Sequence, residues 1–268
     1  MSSPIFIMAS GQRCGSTLVQ RLLNSHPRIM IWGEQHGVLN SFYRMHKVLL
    51  EWESEYRGHR LTYFKDGYDN FIPNIIPEDR EIINAARDYV YSLFAKPTHT
   101  IGKTIWGFKE VRYDSEIAAF LLRLFPDSKI IWLTRNIVDC LLSLKHWENN
   151  NGSWTRQWTK IFISDWERIN ESFLQRSNSI SNYILVKYED LILPHSDDVN
   201  RICSLIDIHP TELDLGVFNR KIHNDGVSGM ANRKILTRKD LTIEDWQLIS
   251  SPSILNICKL LGYNDIFE

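Results

Sequence analysis

Two stretches of this sequence hold residue types that can bind phosphate groups. The first runs from Gly11 to Thr17 and contains two glycines, an arginine and two hydroxyl side chains. It follows an apolar run, Ile5–Ala9, that is typical of a short buried strand, and Ser16 opens a segment with helical periodicity. Glycines let a backbone approach an anion closely, and the N–H groups at a helix N-terminus attract the anion. The pattern predicts a phosphate-binding loop with Arg13 as its cation, although a tight turn with incidental glycines would look the same.

This loop differs from the loop of nucleoside-triphosphate-binding proteins, which reads G-x-x-x-x-G-K-[ST]. When the two are aligned on Gly15, Ser10 stands at the first glycine and Ser16 stands at the lysine, so that only Thr17 fits. The missing lysine would reach the β- and γ-phosphates, and the cation here is Arg13 instead. The sequence therefore argues against a nucleoside triphosphate as the ligand.

The second stretch, Lys129–Trp147, also reads as a buried strand followed by a helix. Arg135 follows the strand, and Asp139 and Ser143 lie four residues apart on one face of the helix. Ligands of open α/β sheets bind beyond the carboxyl ends of the strands, where an arginine and a serine can hold a second phosphate. The alternative is that Arg135 pairs with Asp139 and that Ser143 is a buried hydroxyl group.

These stretches resemble two motifs of the sulfotransferases that use 3′-phosphoadenosine 5′-phosphosulfate (PAPS). R-C-G-S-T-L, at residues 13–18, is similar to their 5′-phosphosulfate loop, and R-N-x-x-D-x-x-x-S, at residues 135–143, is similar to their 3′-phosphate motif. Gly33-Glu34 resembles a pair in the tyrosylprotein and carbohydrate branches, and the run 106–131 resembles the tyrosylprotein branch. V-K-Y-E-D-L, at residues 186–191, looks like a later strand end of the family. The resemblance covers most of the chain except about residues 36–100.

The resemblance implies a role for most of these residues. Glu34 would be the general base, and Arg13 and Lys109 would stabilise the negative charge on the departing phosphate. Glu34 would also contact the acceptor. Apart from the resemblance, His36 is a second candidate for the base and for acceptor contact, because an unperturbed histidine has a pKa better suited to neutral pH. PAPS would be the donor, adenosine 3′,5′-bisphosphate (PAP) the product, and no metal would be required. The residues expected to bind the donor are Arg13, Cys14, Gly15, Ser16, Thr17, Leu18, Arg135, Ser143, Tyr188, Ser228, Arg233 and Lys234.

Several of these residues also have plainer interpretations. Glu34 could cap the helix that follows it, Lys109 could be a surface lysine paired with Glu110, and Cys14 could simply fill the loop. The basic segment near the C-terminus could be a solvated charged loop. Ile235 stands there where cytosolic members of the family carry the glycine of R-K-G.

Hydrophobic periodicity predicts the elements that position these residues. We expect further strands over residues 28–32, 104–110 and 183–188. We expect helices over residues 38–52, 78–95, 114–125 and 199–205, and one or two more over 242–262. The segment 56–77 has no clear period and predicts a long loop or lid over the acceptor pocket. The tryptophan-rich stripe from Trp154 to Phe173 predicts a helix that faces the core.

Strands that alternate with helices over short connections indicate parallel βαβ units. We therefore expect an α/β fold, a P-loop-kinase-like three-layer sandwich with a mostly parallel central sheet of about five strands. The 268 residues suit a single sulfotransferase domain, 1–268, with an acceptor-side insertion at about 36–100.

Composition narrows the classes of function. A formal net charge of −1 argues against a general binder of nucleic acids or anionic membranes. The four cysteines show no paired spacing, which favours a reducing compartment over a disulfide framework or a zinc site. No apolar run suits a secretory signal or a membrane span, so we expect a cytoplasmic enzyme, unless the chain is trimmed from an anchored one.

The resulting hypothesis is in-line transfer of a sulfuryl group from PAPS to a hydroxyl or amine of an acceptor that is a small metabolite, in specialised metabolism. Three alternatives remain open at this point. They are a protein-tyrosine sulfotransferase with a cleft for an acidic peptide, a small-molecule kinase of the P-loop fold, and a non-catalytic nucleotide sensor.

Overall fold

The structure is a computed structural model, and it describes residues 3–151, 156–176, 180–193, 196–220 and 237–263. Five residues singled out above lie outside the described residues: Trp154, Ser228, Arg233, Lys234 and Ile235.

A five-stranded sheet forms the centre of the molecule. In chain order its strands are β1 (Ile5–Ala9), β2 (Ile29–Trp32), β3 (Ile105–Glu110), β4 (Lys129–Thr134) and β5 (Tyr183–Lys187). The spatial order is β2-β3-β1-β4-β5, and every neighbouring pair is parallel. Strand β1 lies in the middle and is buried along its whole length, as expected for a parallel strand covered on both faces. The predicted P-loop-like α/β fold is confirmed.

Helices flank this sheet. In chain order they are α1 (Ser16–Asn24), α2 (Val38–Asp66), α3 (Asp79–Val90), α4 (Lys96–Thr100), α5 (Ser115–Leu124), α6 (Ile137–Asn151), α7 (Arg156–Arg176), α8 (Tyr188–Leu191), α9 (Asp198–Ile206), α10 (Ile243–Ile249) and α11 (Pro252–Leu260). A π-helical turn, Tyr91–Ala95, joins α3 to α4. The described residues also contain three 3₁₀ turns, at Pro210–Glu212, Leu215–Asn219 and Arg238–Asp240.

The predicted loop over residues 56–77 is wrong in its first half, because α2 continues there with only Tyr56 outside helical geometry. The buried carboxylate of Glu53 accepts hydrogen bonds from Arg57 and Arg60, each at 2.9 Å. Arg60 also donates to the carbonyl of Ile76 at 3.2 Å and so ties the irregular segment 67–77 back to the helix. Paired charges at helical spacing replace the apolar period that the sequence lacks here.

The helix predicted to end at Lys96-Pro97 instead continues to Thr100. The π-helical turn comes first, and Pro97 then lies in the opening turn of α4, where a missing N–H costs little.

The predicted core-facing stripe is correct only for the later part of α7. Trp166, Ile169 and Phe173 are buried, whereas Trp158 is 51% exposed and Ile161 is 44% exposed. The first turns of α7 line a cavity beside the candidate active site, which explains this difference.

Candidate active site

The loop between β1 and α1 has the conformation of a cradle. Arg13 (φ 64°) and Gly15 (φ 88°) are both left-handed. A Cβ atom on Gly15 would lie 2.2 Å from the ring of Tyr188, so only glycine lets that ring close one wall of the loop. The first N–H groups of α1, at Ser16 and Thr17, have no partner inside the helix and can donate to an anion.

Two arginines converge on this loop. Arg135 donates to the carbonyl of Arg13 at 3.0 Å, and its guanidinium carbon lies 4.4 Å from the centre of the Tyr188 ring. Arg13 donates through Nε to Oγ of Ser143 at 3.1 Å. The buried Nε of Arg135 has no hydrogen-bond partner among the described residues, as expected for a donor that a ligand satisfies. The structure thus brings these four predicted residues together, and Arg135 does not take up the alternative pairing with Asp139.

Hydrogen bonds from Trp166 and to Glu189 fix the turn after β4, and Tyr263 in turn binds Glu189. The backbone N–H of Asn136 donates to the carboxylate of Glu189 at 2.8 Å, and the hydroxyl of Tyr263 donates to the same carboxylate at 3.0 Å. The indole of Trp166 donates to the carbonyl of Arg135 at 3.1 Å. Glu189 therefore positions the segment that carries Arg135, rather than the guanidinium itself.

Glu34 lies at the carboxyl end of β2 between two cations. Its Oε1 accepts a hydrogen bond from Nζ of Lys109 at 2.5 Å, and its Oε2 accepts one from Arg112 at 3.1 Å. Lys109 is buried and also donates to Oγ1 of Thr17 at 3.4 Å, which links the pair to the phosphate loop. Burial raises the pKa of Glu34, but the hydrogen bonds and charges of Lys109 and Arg112 outweigh it and lower that pKa below its usual value of 4.5.

A second carboxylate, that of Glu110, stabilises the position of Glu34 and Arg112. Glu110 is fully buried and accepts backbone N–H groups from Gln35 at 3.0 Å and Gly37 at 2.9 Å. It also pairs with Arg112 at 2.7 Å. Glu110 therefore fixes the turn that carries Glu34. Lys109 pairs with Glu34 and not with Glu110, the plainer alternative raised by the sequence.

Most of these groups line one cavity of about 660 Å³, which we call the phosphate cavity. Its lining residues are Gln12, Arg13, Gly15, Ser16, Thr17, Glu34, Val111, Arg112, Arg135, Ser143 and Tyr188. The segment that follows each of the five strands contributes to this cavity, as expected for a ligand site beyond the carboxyl ends of parallel strands.

Four of the predicted site residues that the structure describes do not line this cavity. One of them, Lys109, contacts it only through its hydrogen bonds to Glu34 and Thr17. Cys14 is buried, with its sulfur 3.5 Å from that of Cys140, and Leu18 packs in a small apolar cluster beneath the loop. Their side chains serve the core, and only their backbone could face a ligand. His36 is exposed and adopts a left-handed conformation (φ 56°) outside the lining, which places it poorly for the role of rival base.

Sequence reasoning missed Gln12, Val111 and Arg112. Arg112 could have been found, because it follows β3 within two residues and so lies at the same edge of the sheet as Glu34. Gln12 and Val111 carry no chemical signal that would have set them apart.

A second cavity of about 200 Å³ adjoins the first, and we call it the α7 pocket. It shares Gln12, Val111 and Arg112 with the phosphate cavity. Its remaining lining is Gly11, Leu144, Trp158, Ile161, Phe162 and Asp165.

The described ranges hold neither a metal-binding cluster nor a membrane-spanning helix. In that part of the chain, no group of three or more His, Cys, Asp or Glu side chains is placed to hold a metal ion. Within the same ranges, no helix has both the length and the apolar character that a membrane crossing needs.

Comparisons with solved structures show the fold. The sulfotransferase domain from the curacin biosynthetic pathway matches at a TM-score of 0.52 and 16% identity, over 98% of this chain and 99% of that one. A sulfotransferase from Mycobacterium avium matches at a TM-score of 0.51 and 17% identity, over 98% of this chain and 77% of that one. A sulfotransferase from Alicyclobacillus acidocaldarius matches at 0.50 and 13% identity, over 98% and 97%.

Comparisons of sequence show the family. No curated protein matches this sequence at a significant level. The model of the sulfotransferase family matches residues 4–212, a range that includes β1 to β5 and every described residue of the phosphate cavity. Neither this match nor the solved structures support the expected closer likeness to the tyrosylprotein and carbohydrate branches. With the fold, the cavity and the match over most of its length in agreement, the chain belongs to the sulfotransferase family.

Proposed function

We propose that this sulfotransferase moves a sulfuryl group from PAPS to a hydroxyl or amine of a small-molecule acceptor. The observation that carries the proposal is the pair formed by Glu34, which lines the phosphate cavity, and Lys109, 2.5 Å from it. A carboxylate that can take a proton lies there beside a cation that can stabilise a leaving phosphate. The hydrogen bond from Lys109 to Thr17 joins that pair to the loop.

The chemistry of the cavity suits a donor with phosphates at both ends of a nucleoside. The N–H groups of Ser16 and Thr17, with Arg13, would hold the 5′-phosphosulfate. Arg135 and Ser143 would hold the 3′-phosphate, and the buried, unpartnered Nε of Arg135 supports this. Ser228, Arg233 and Lys234 remain predicted to close over the 3′-phosphate.

The reaction is written as an in-line displacement. The acceptor oxygen or nitrogen attacks sulfur while Glu34 takes its proton. The bond between sulfur and the bridging phosphate oxygen breaks, and its electron pair stays on that oxygen. Lys109, Arg13 and the N-terminus of α1 stabilise the charge that develops there. The products are the sulfated acceptor, PAP and a protonated Glu34 that returns its proton to water.

Glu34 suits the role of base better than His36. It lines the cavity, and its lowered pKa keeps it deprotonated at neutral pH. A carboxylate of low pKa is a weak base, but the proton becomes acidic only as the bond to sulfur forms, which is when the carboxylate receives it. His36 is exposed and outside the cavity lining.

Three further predictions belong to this proposal. We propose that residues 1–268 form one sulfotransferase domain and that the enzyme acts in the cytoplasm. The likeness to the tyrosylprotein and carbohydrate branches depends on Gly33-Glu34 and on Lys109, and we retain it as a likeness of the catalytic residues only.

Calorimetric titration with PAP, ADP and ATP–Mg²⁺ tests the donor. We expect tight binding of PAP and weak binding of the other two. Arg135→Ala should weaken PAP binding by about 10- to 100-fold, the value of a hydrogen bond to a charged group. Arg80, which is exposed and far along the chain from the cavity residues, provides the matched control, and Arg80→Ala should leave PAP binding unchanged. Preference for ATP, or indifference to Arg135→Ala, would contradict the proposal and favour a kinase.

Glu34→Gln tests the base. We expect kcat for sulfuryl transfer to fall by about 10²- to 10⁴-fold, the usual contribution of a general base. PAP affinity should stay the same or increase, because the substitution removes a negative charge beside an anionic ligand. An unchanged kcat would remove Glu34 from the mechanism.

A further inference from the structure

The α7 pocket opens from the same edge of the phosphate cavity at which Glu34 lies. Arg112 lines both cavities and donates to Glu34 at 3.1 Å, so the two spaces meet at a residue that contacts the carboxylate. A molecule that fills the α7 pocket can therefore present a reactive group to the proposed base without crossing any other element.

The wall of this pocket is apolar where α7 forms it. Trp158 and Ile161 lie three residues apart on one face of that helix and are about half exposed. Leu144 and Phe162 lie buried behind them. Large apolar side chains that line a cavity, rather than being scattered on a surface, are typical of a site for an apolar ligand.

The polar groups of the pocket lie at its ends. Asp165 pairs with Arg168 at 3.3 Å, and Arg168 also pairs with Asp114 at 2.7 Å. At the other end Arg112 is paired with Glu34 and Glu110. Both ends thus carry carboxylates that already neutralise their cations, so the pocket offers no surplus positive charge to an acidic acceptor.

The segment expected to supply the acceptor site, residues 36–100, contributes no residue to this lining. It forms other cavities, at His46 on α2, and these share no residue with the phosphate cavity. His46 lies eight residues after the start of α2, or about 12 Å along the helix at 1.5 Å per residue. An acceptor bound there could not reach Glu34 without a large displacement.

We propose that the α7 pocket is the acceptor site and that it takes an uncharged aryl or branched-alkyl alcohol or phenol. The apolar body of the acceptor packs on Trp158 and Ile161, and its hydroxyl lies next to Arg112 and Glu34. This assignment rests on the proposed function, and it excludes sugars and acidic tyrosine peptides as preferred acceptors. The pocket has a volume of about 200 Å³, below the roughly 300–1,000 Å³ of sites for drug-sized molecules, so it suits a small acceptor.

The test uses 2-naphthol, N-acetylglucosamine and a short peptide with a tyrosine between aspartates as acceptors, with PAPS as donor. We expect sulfation of 2-naphthol with the highest kcat/KM. Trp158→Ala should raise KM for 2-naphthol about tenfold or more, since an aromatic contact surface is lost. Trp158→Phe should restore most of the affinity, and PAP binding should be unchanged in both variants.

Trp52→Ala is the matched control. Trp52 is 43% exposed on α2, inside the segment first expected to bind the acceptor. We expect it to leave KM for 2-naphthol unchanged. Calorimetric titration of 2-naphthol into the enzyme–PAP complex, with wild type and each variant, measures the same affinities without turnover, and thermal melts establish that each variant is folded.

The possible outcomes distinguish a failure of the acceptor-site inference from a failure of the proposed function. If PAP binds but Trp158→Ala leaves the affinity for 2-naphthol unchanged, the α7 pocket is not the acceptor site. The same holds if Trp52→Ala weakens that affinity instead, or if the sugar or the peptide is the better acceptor. If PAP itself does not bind, the proposed function and this inference fall together.

Discussion

Gly15→Ala should damage the phosphate loop through two separable effects. Gly15 is left-handed (φ 88°), and an L-residue in that conformation costs about 1–2 kcal/mol. The added methyl group would also lie 2.2 Å from the Tyr188 ring, and overpacking of this kind costs about 1–3 kcal/mol. The free energy of unfolding should therefore fall by about 2–5 kcal/mol in total.

A double-mutant cycle with Tyr188→Ala separates the two effects. Without the ring, the methyl group meets no wall, and Gly15→Ala should cost only the conformational term of about 1–2 kcal/mol. Gly102→Ala is a second control, because Gly102 has φ 78° and open space around its Cβ direction. It too should cost only about 1–2 kcal/mol.

The measurements are urea unfolding, followed by tryptophan fluorescence, and PAP affinity by calorimetry for each corner of the cycle. PAP affinity should fall in Gly15→Ala, since a displaced ring takes Arg135 with it through their 4.4 Å contact. If Gly15→Ala costs the same with and without the Tyr188 ring, to within about 0.5 kcal/mol, then Tyr188 does not form the wall of the loop and the reasoning is refuted.

Three further predictions follow from the contacts around the site. Glu110→Gln should lower the free energy of unfolding by about 1–3 kcal/mol, because one buried donor loses its acceptor. It should also reduce kcat with little change in PAP affinity. An unchanged kcat in steady-state assays would show that Glu110 does not position the site. Lys109→Met should raise the pKa of Glu34, since burial then acts with less opposition, so the acid limb of kcat/KM should move to higher pH. In wild type the limb should lie below pH 4.5, because a lowered pKa keeps the carboxylate charged as the pH falls; a limb at the same pH in both enzymes would contradict this. Glu53→Gln should lower the urea midpoint by depriving Arg60 of its carboxylate, while PAP affinity stays the same; a parallel loss of affinity would mean that α2 supports the donor site.

The sheet and its edge were the most predictable parts of the molecule. Ile5–Ala9 was expected as a buried strand because parallel strands covered on both faces are continuous apolar runs. Once the strands are known, their carboxyl ends must meet at one edge, which places Glu34 and Arg135 around one cavity and Lys109 beside Glu34. The family resemblance suggested roles for them, but their proximity follows from the topology.

The features that could not be predicted depend on contacts between distant segments. Glu53 and Arg60 look like ordinary surface charges, and only the burial of their pair makes the second half of α2 helical. Trp158 and Trp166 occupy the same kind of periodic stripe, and the period does not tell whether a helix face meets a core or a cavity. Arg112 is one charge among many until β3 is known to end two residues before it.

The central position of β1 has a consequence for how this enzyme is made. Ile5 pairs with Gly107 on one side and with Lys129 on the other, so the first strand to leave the ribosome waits for about half of the chain before its neighbours exist. Parallel pairings between such distant segments form slowly, and until then the apolar run Ile5–Ala9 remains available for aggregation. The phosphate loop has no fixed walls before β4 and β5 have joined the sheet, since Arg135 and Tyr188 follow those strands. The cavity is therefore among the last features to form, and PAP binding should report the completion of folding.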